Sequence, residues 1–177
     1  MFFIPGELIA LLTFPGVIVH EAAHQLFCRF FRVAVHDVCY FRVGNPAGYV
    51  VHEQSALPSH QVWIALGPFL LNTLLGALIA APAAIPVMQF DTGGPLDYLL
   101  IWLGVSIAMH AFPSEADGET IMDTLETRQT SRLTKFISVP AICMICLASL
   151  GKFVWLDLLY GIAIAMLLPE LAIWLSV

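Results

Sequence analysis

Long apolar runs recur along the whole chain, and they constrain its fold more than any other feature of the sequence. The 177 residues are 59% hydrophobic and only 11% charged, whereas about 25% of the residues in a typical soluble domain are charged. A soluble globule of this size would need more polar residues to cover its surface. The sequence therefore predicts an integral, multi-pass membrane protein of the all-α class.

The apolar runs predict a polytopic bundle of about five transmembrane helices. A helix rises 1.5 Å per residue, so about 20 apolar residues are needed to cross a bilayer. Pro68, Pro82 and Pro86 are expected to bend or end the second helix, and Pro113 and Gly118 to interrupt the chain after the third. The predicted helices cover residues 8–31, 61–88, 96–112, 136–150 and 153–175.

Two segments depart from the apolar pattern. Residues 33–53 contain strand-forming Val, Tyr and Phe on both sides of a Gly-Asn-Pro-Ala-Gly turn signal, which predicts a membrane-associated β-hairpin after the first helix. Residues 119–134 are the most polar stretch and are expected to connect helices outside the membrane, with one short amphipathic helix. Residues 1–177 are expected to form a single membrane-embedded domain, with a core at 7–120 and additional helices at 135–177.

The distribution of basic residues predicts the orientation of the bundle. With five spans, six of the seven basic residues fall on one side of the membrane, and Lys152 falls on the other. The positive-inside rule makes the first side cytoplasmic. The N-terminus is then expected outside and the C-terminus inside, in a cell (plasma) membrane. The six basic residues are Arg29, Arg32, Arg42, Arg128, Arg132 and Lys135.

One motif in the first helix is able to carry chemistry, the sequence His-Glu-Ala-Ala-His at residues 20–24. His20 and His24 lie one helical turn apart on the same face, where two imidazoles can coordinate one zinc ion. Glu21 is rotated by about 100° from His20, so it can take a proton from a water beside the metal. Because ionisable residues in a membrane helix are costly, the motif favours a functional site over an interfacial polar cluster.

A catalytic zinc site needs a third protein ligand and one open position. Asp117 follows the third helix on the predicted cytoplasmic side, at a depth that matches His20 and His24. Glu115 is equally able to bind a metal, and His110 could be a ligand or could support one. Spacing alone favours Asp117 only modestly over His110 and Glu115.

The order of these motifs resembles the site-2 protease family of intramembrane zinc metalloproteases. That family has HExxH on one core helix, then a β-hairpin, a GPxxN-like motif and an Asp-Gly pair. The resemblance covers about residues 7–120, through the His-Glu-Ala-Ala-His motif, the predicted hairpin, the run from Gly67 and Pro68 to Asn72, and Asp117-Gly118. It implies His20, His24 and Asp117 as ligands of one Zn²⁺ per chain, with Glu21 as the catalytic base.

Two departures from the family pattern indicate a divergent, minimal member without a soluble regulatory domain. Asn72 lies one residue further from the proline than in GPxxN, and His110 stands where the family usually has an asparagine. The expected reaction is hydrolysis of a peptide bond in a membrane-protein or membrane-associated substrate near the cytoplasmic face. Substrate backbone is expected to pair with the hairpin edge at Tyr49, Val50 and Val51. For Asn72 two roles are open, binding of substrate backbone and packing as a polar residue between helices.

Other functional classes fit the sequence less well. A catalytically inactive, protease-like protein that binds partner helices or serves as a complex subunit is the main alternative, but such a protein does not need Glu21. A metal transporter would carry acidic or histidine residues along several helices. The net charge of −6 and the lack of a basic cluster argue against nucleic acid. The small size is compatible with a protein partner or an oligomer.

Overall fold

The computed structural model describes residues 6–126, 130–151 and 155–174, which are mostly helical, with one small antiparallel sheet. A π-helical segment, Ala163–Leu167, joins the last two helices. The strands are β1 (Val35–Cys39) and β2 (Tyr49–His52). The helices are α1 (Gly6–Leu12), α2 (Phe14–Phe30), α3 (Pro58–Phe90), α4 (Pro95–Met109), α5 (Glu115–Glu126), α6 (Arg132–Gly151), α7 (Leu156–Ile162) and α8 (Leu168–Trp174).

The segment predicted as one helix over residues 8–31 consists of two helices, α1 and α2, that meet at an angle of 87°. Pro15 lies in the first turn of α2, where its missing N–H is tolerated, and it cannot continue a helix that arrives from α1. Thr13 follows the last residue of α1 and donates both its N–H and its hydroxyl to the carbonyl of Ile9. The motif at residues 20–24 therefore belongs to α2 alone.

The prolines were expected to bend or end this helix, and none of them ends it, because α3 runs through Pro68, Pro82 and Pro86. Within the described ranges, α3 is the one unbroken helix that is long and apolar enough to cross a membrane. The bent pair α1 and α2 provides a second crossing if the two helices count as one span. The number of five spans stays a prediction.

Glycines let the backbones of α2, α3 and α7 approach α4 closely. A Cβ on Gly76 of α3 would lie 2.8 Å from the carbonyl oxygen of Gly104 of α4, and one on Gly161 of α7 would lie 2.8 Å from that of Val105. A Cβ on Gly16 of α2 would collide with the carbonyl oxygen of Ser106. Small residues at helix crossings are typical of membrane bundles. These contacts fix α2 and α4 side by side.

The predicted hairpin is confirmed, with β1 and β2 paired antiparallel from Val35↔His52 to Cys39↔Tyr49 and a register irregularity between Val35 and Asp37. The hydroxyl of Tyr40 donates to Oε1 of Gln25 at 2.6 Å, which ties the hairpin to α2. The hairpin therefore lies against the helix that carries the His-Glu-Ala-Ala-His motif.

A small apolar core holds α5 against α3 and α6. Its buried members include Val62 and Leu66 of α3, Ile121 of α5 and Ala141 of α6. Gly118 was expected to interrupt a helix, but it lies inside α5 because its bare backbone packs on Ile145 of α6. This core sets the position of the first turn of α5, which contains Asp117.

Candidate metal centre

His20 and His24 of α2 and Asp117 of α5 bring three potential metal ligands together. One ligand atom from each residue lies within 4.8 Å of the others. The two Nε2 atoms are 3.2 Å apart, and Nε2 of His24 is 3.4 Å from Oδ1 of Asp117. The predicted convergence of these three side chains is therefore present, and the group is able to hold a metal ion.

Each imidazole of the pair is oriented by a backbone carbonyl. Nδ1 of His20 lies 2.7 Å from the carbonyl oxygen of His110, and Nδ1 of His24 lies 3.0 Å from that of Ile64. A carbonyl can only accept, so each Nδ1 carries the proton and donates it. In the neutral rings both Nε2 atoms then present lone pairs to the same point, as metal ligands do.

Neither carbonyl has its usual helical donor. The carbonyl of Ile64 would accept from the N–H of residue 68, but Pro68 has none. The carbonyl of His110 lies just past the end of α4, and the N–H of Ser114, four residues on, donates to Asp117 instead. Both imidazoles therefore use acceptors that the local backbone leaves free.

Ser114 orients the carboxylate of Asp117. Its N–H and its hydroxyl each donate to Oδ2 at 2.7 Å, and its Oγ accepts from the N–H of Asp117 at 3.2 Å. These reciprocal bonds form a capping box at the start of α5. They occupy Oδ2 and leave Oδ1 to face His24.

The pKa of Asp117 lies below its usual range. Burial on its own raises the pKa of the carboxyl. In the metal-free protein the His24 and His20 rings, when protonated on both nitrogens, and the bonds from Ser114 outweigh burial and favour the charged form, and a metal ion takes the place of those protons when it binds. Asp117 is therefore a carboxylate at neutral pH, the form in which it can bind a metal.

Glu21 lies next to the three ligands and beneath the loop of the hairpin. Its side chain is buried, with 8% of its surface exposed. A Cβ on Gly48 would lie 2.7 Å from Cγ and 3.0 Å from Oε1 of Glu21. Only a glycine at this position allows the loop to approach Glu21 so closely.

A cavity of about 470 Å³ opens over the three ligands. The hairpin loop bounds one side of it, and the segment between α4 and α5 bounds another. Its lining includes Glu21, Gly48, Tyr49, Val50 and Asp157. The cavity is large enough for a segment of extended peptide beside the candidate metal site.

The other predicted site residues occupy different positions. Tyr49 and Val50 line the cavity, whereas Val51 is half exposed and is not part of its lining. His110 lines the cavity and its Nδ1 donates to the carbonyl of Ser106 at 2.9 Å, but its side chain is not a member of the group of three candidate ligands. Glu115 is not a member of the group of three ligands.

Asn72 is fully buried and does not line the cavity, so in this arrangement it has no surface for a substrate. Its Nδ2 lies 3.3, 3.1 and 3.2 Å from the carbonyl oxygens of Gly16, Ile107 and His110. Three acceptors around one atom identify that atom as the nitrogen. Asn72 thus joins α2, α3 and α4 directly behind His20.

Sequence reasoning missed four residues that shape the site: Ile64, Ser114, Gly48 and Asp157. The spacing Ser-x-x-Asp from Ser114 to Asp117 is a capping-box signal that could have been read. Pro68 could have pointed to the free carbonyl of Ile64. Gly48 and Asp157 carry no local signal, because only the tertiary fold brings them to the cavity.

Comparison of the chain with protein-family models, with curated proteins and with solved structures found no match.

Proposed function

We propose that this protein is a zinc-dependent intramembrane endopeptidase, similar to the site-2 protease family, which hydrolyses a peptide bond in a membrane-associated substrate. The observation that carries the proposal is the convergence of His20, His24 and Asp117 on one point beside Glu21. Two imidazoles, one carboxylate and an adjacent glutamate form the ligand-and-base set of a catalytic zinc site, in which one position remains open.

Two of the three distances between candidate ligand atoms suit zinc. With zinc–ligand bonds of about 2.0–2.2 Å, neighbouring ligand atoms of a tetrahedron lie about 3.3–3.6 Å apart. The 3.2 Å between the two Nε2 atoms and the 3.4 Å between His24 and Asp117 are close to this range. Imidazole ligands also favour zinc over calcium or magnesium, which bind mainly oxygen.

The outer surface of the helices supports a location in the bilayer. Leu70, Leu74 and Leu78 follow one another at every fourth residue of α3 and are 47%, 56% and 60% exposed. A continuous apolar stripe of this kind is unfavourable in water and suits lipid tails. Multi-pass insertion, with the site near the cytoplasmic face, is part of the proposal.

The chain's own residues divide the work of peptide hydrolysis. When bound, the zinc ion supplies a Lewis acid that polarises the scissile carbonyl and lowers the pKa of a water. Glu21 accepts a proton from the attacking water and passes it to the leaving amine. His20 and His24 hold their ring orientation through their carbonyl partners, and Ser114 keeps Oδ1 of Asp117 turned towards them.

The hairpin is suited to present the substrate. A helical substrate hides its carbonyls in its own hydrogen bonds, so a segment must unwind before one carbonyl can be attacked. Tyr49 and Val50 of β2 line the cavity, and an extended peptide that pairs with this strand would run along the candidate metal site. Gly48 keeps the loop close enough to cover Glu21 and to limit access of bulk water.

The test is cleavage by the purified protein in detergent or nanodiscs, measured by mass spectrometry on a mixed peptide library. We expect cleavage to stop after zinc chelation and to return when zinc alone is added back. His24→Ala should bind less than stoichiometric zinc and should not be rescued. Cleavage that persists in metal-free protein would contradict the proposal, because another catalytic group would then be responsible.

A further inference from the structure

We infer that Pro68 is a positioning residue for the metal centre, because it leaves the carbonyl of Ile64 free to accept a hydrogen bond from His24. In α3, an N–H at position 68 would donate to the carbonyl of Ile64. Proline has no N–H, so this carbonyl is free on the face of α3 that meets α2. His24 donates to it from Nδ1 at 3.0 Å.

The consequence for the metal centre lies in the tautomer of His24. A neutral imidazole carries one proton, and the nitrogen that holds it cannot bind a metal. The carbonyl of Ile64 accepts from Nδ1, so Nε2 is the nitrogen that faces His20 and Asp117 and is left to bind a metal. Pro68 thereby selects the metal-binding form of the ring before any metal arrives.

Burial makes this acceptor effective. Pro68 and Ile64 are among the most completely buried side chains, and His24 is only 7% exposed. Water therefore cannot readily replace a missing donor to Ile64 or a missing acceptor for His24. A buried carbonyl without a hydrogen-bond partner is unfavourable, and the bond from His24 supplies that partner.

The same helix contains prolines that serve as controls. Pro82 and Pro86 also lie inside α3 and also remove a helical N–H. Pro82 lies ten residues, or about 15 Å of helix, beyond Asn72, whose amide donates to Gly16 near the start of α2. The carbonyl of Pro86 accepts from Thr92 at the end of the helix. If Pro68 acted only by bending or stiffening α3, replacement of Pro82 would affect zinc binding in a similar way.

The experiment compares Pro68→Ala with Pro82→Ala in the full-length protein. Zinc affinity is measured by competition with a fluorescent chelator, and the tautomer of His24 in metal-free protein by ¹⁵N NMR of labelled histidine. The His24 signal is assigned by its loss in His24→Asn. We expect the wild-type ring to be protonated on Nδ1. Pro68→Ala should populate the Nε2–H form and bind zinc about tenfold more weakly. This is the lower end of the loss of about 10–100-fold that follows removal of a group that orients a metal ligand. The loss is small because the carbonyl of Ile64 can accept both from the new N–H at position 68 and from His24.

Pro82→Ala should match the wild type in both measurements. An Nε2–H tautomer in the wild type would overturn the inference, even if Pro68→Ala failed to fold. Unchanged zinc affinity in Pro68→Ala, or an equal loss in Pro82→Ala, would also overturn it. The inference rests on the metal centre of the proposed function and not on proteolysis. Zinc binding without peptide cleavage would therefore contradict the proposed protease function and leave this inference unaffected.

Discussion

Replacement of Asn72 by leucine should weaken zinc binding far more than it weakens the fold. Nδ2 of Asn72 donates to a set of carbonyls that includes His110, and the same carbonyl accepts the Nδ1–H of His20. Without the amide, nothing on α3 holds this carbonyl in place behind His20. We therefore expect His20 to lose part of its preferred orientation.

The structure allows the two effects to be estimated separately. Asn72 has two N–H donors, and polar contacts between membrane helices contribute on average about 0.6 kcal/mol each. Their loss, about 1.2 kcal/mol, is offset because leucine also removes Oδ1, a buried oxygen without a hydrogen-bond partner among the described residues. Loss of a contact that orients a metal ligand typically costs about 10–100-fold in affinity, or about 1.4–2.7 kcal/mol.

The assay pairs zinc affinity, from chelator competition, with the free energy of unfolding in detergent. Thr73→Val is the matched control, because Thr73 is the next residue on α3 and hydrogen bonds to the hydroxyl of Tyr160 at 2.7 Å, not to the carbonyl behind His20. We expect Thr73→Val to reduce stability by about 0.6 kcal/mol and to leave zinc affinity unchanged. Zinc affinity in Asn72→Leu that equals the wild type would refute this reasoning.

Three further variants probe other parts of the site. Asp117→Ala should reduce bound zinc from one ion per chain towards none by elemental analysis, whereas Glu119→Ala, an exposed position on the same helix, should keep it. Ser114→Ala removes one of the two donors from Ser114 to Asp117 and should lower zinc affinity by about tenfold. Ser114→Thr keeps the hydroxyl and should retain the affinity. Equal zinc affinities of these two variants would contradict the role given to the hydroxyl. Gly48→Val places a side chain against Glu21. Peptide cleavage should fall at least about tenfold because the aligned geometry of Glu21 is lost, while the zinc content stays at one ion per chain. Full activity of this variant would show that the loop need not approach Glu21.

The ligands on α2 could be predicted from the sequence because the geometry is local. Two histidines four residues apart on a helix meet whatever the rest of the chain does. Asp117 lies 93 residues beyond His24, and spacing alone could not choose it over Glu115 or His110. Its selection came from the resemblance of the motifs, and its position depends on the apolar core that holds α5 against α3.

The parts that could not be predicted depend on backbone groups and tertiary contacts. The bend between α1 and α2 was missed because the apolar pattern continues across Thr13, although Pro15 marks the break. For Asn72 the sequence left substrate binding and helix packing open, because only tertiary packing turns its amide towards three carbonyls inside the bundle. Every residue has a backbone carbonyl, so the residue type of Ile64 does not mark its carbonyl as an acceptor. Only the missing N–H of Pro68 indicates that this carbonyl is free.

The most direct test of the proposed function measures zinc content and peptide cleavage in the same samples of wild-type protein and Glu21→Gln. Glutamine keeps the size of the side chain beneath Gly48 but cannot take a proton from water at neutral pH. We expect one zinc ion per chain in both samples, with cleavage in the wild type and a loss of at least about 100-fold in the variant. Equal cleavage by the two zinc-loaded proteins would contradict the assignment of Glu21 as the base, and absence of cleavage by the zinc-loaded wild type would contradict the proposed protease.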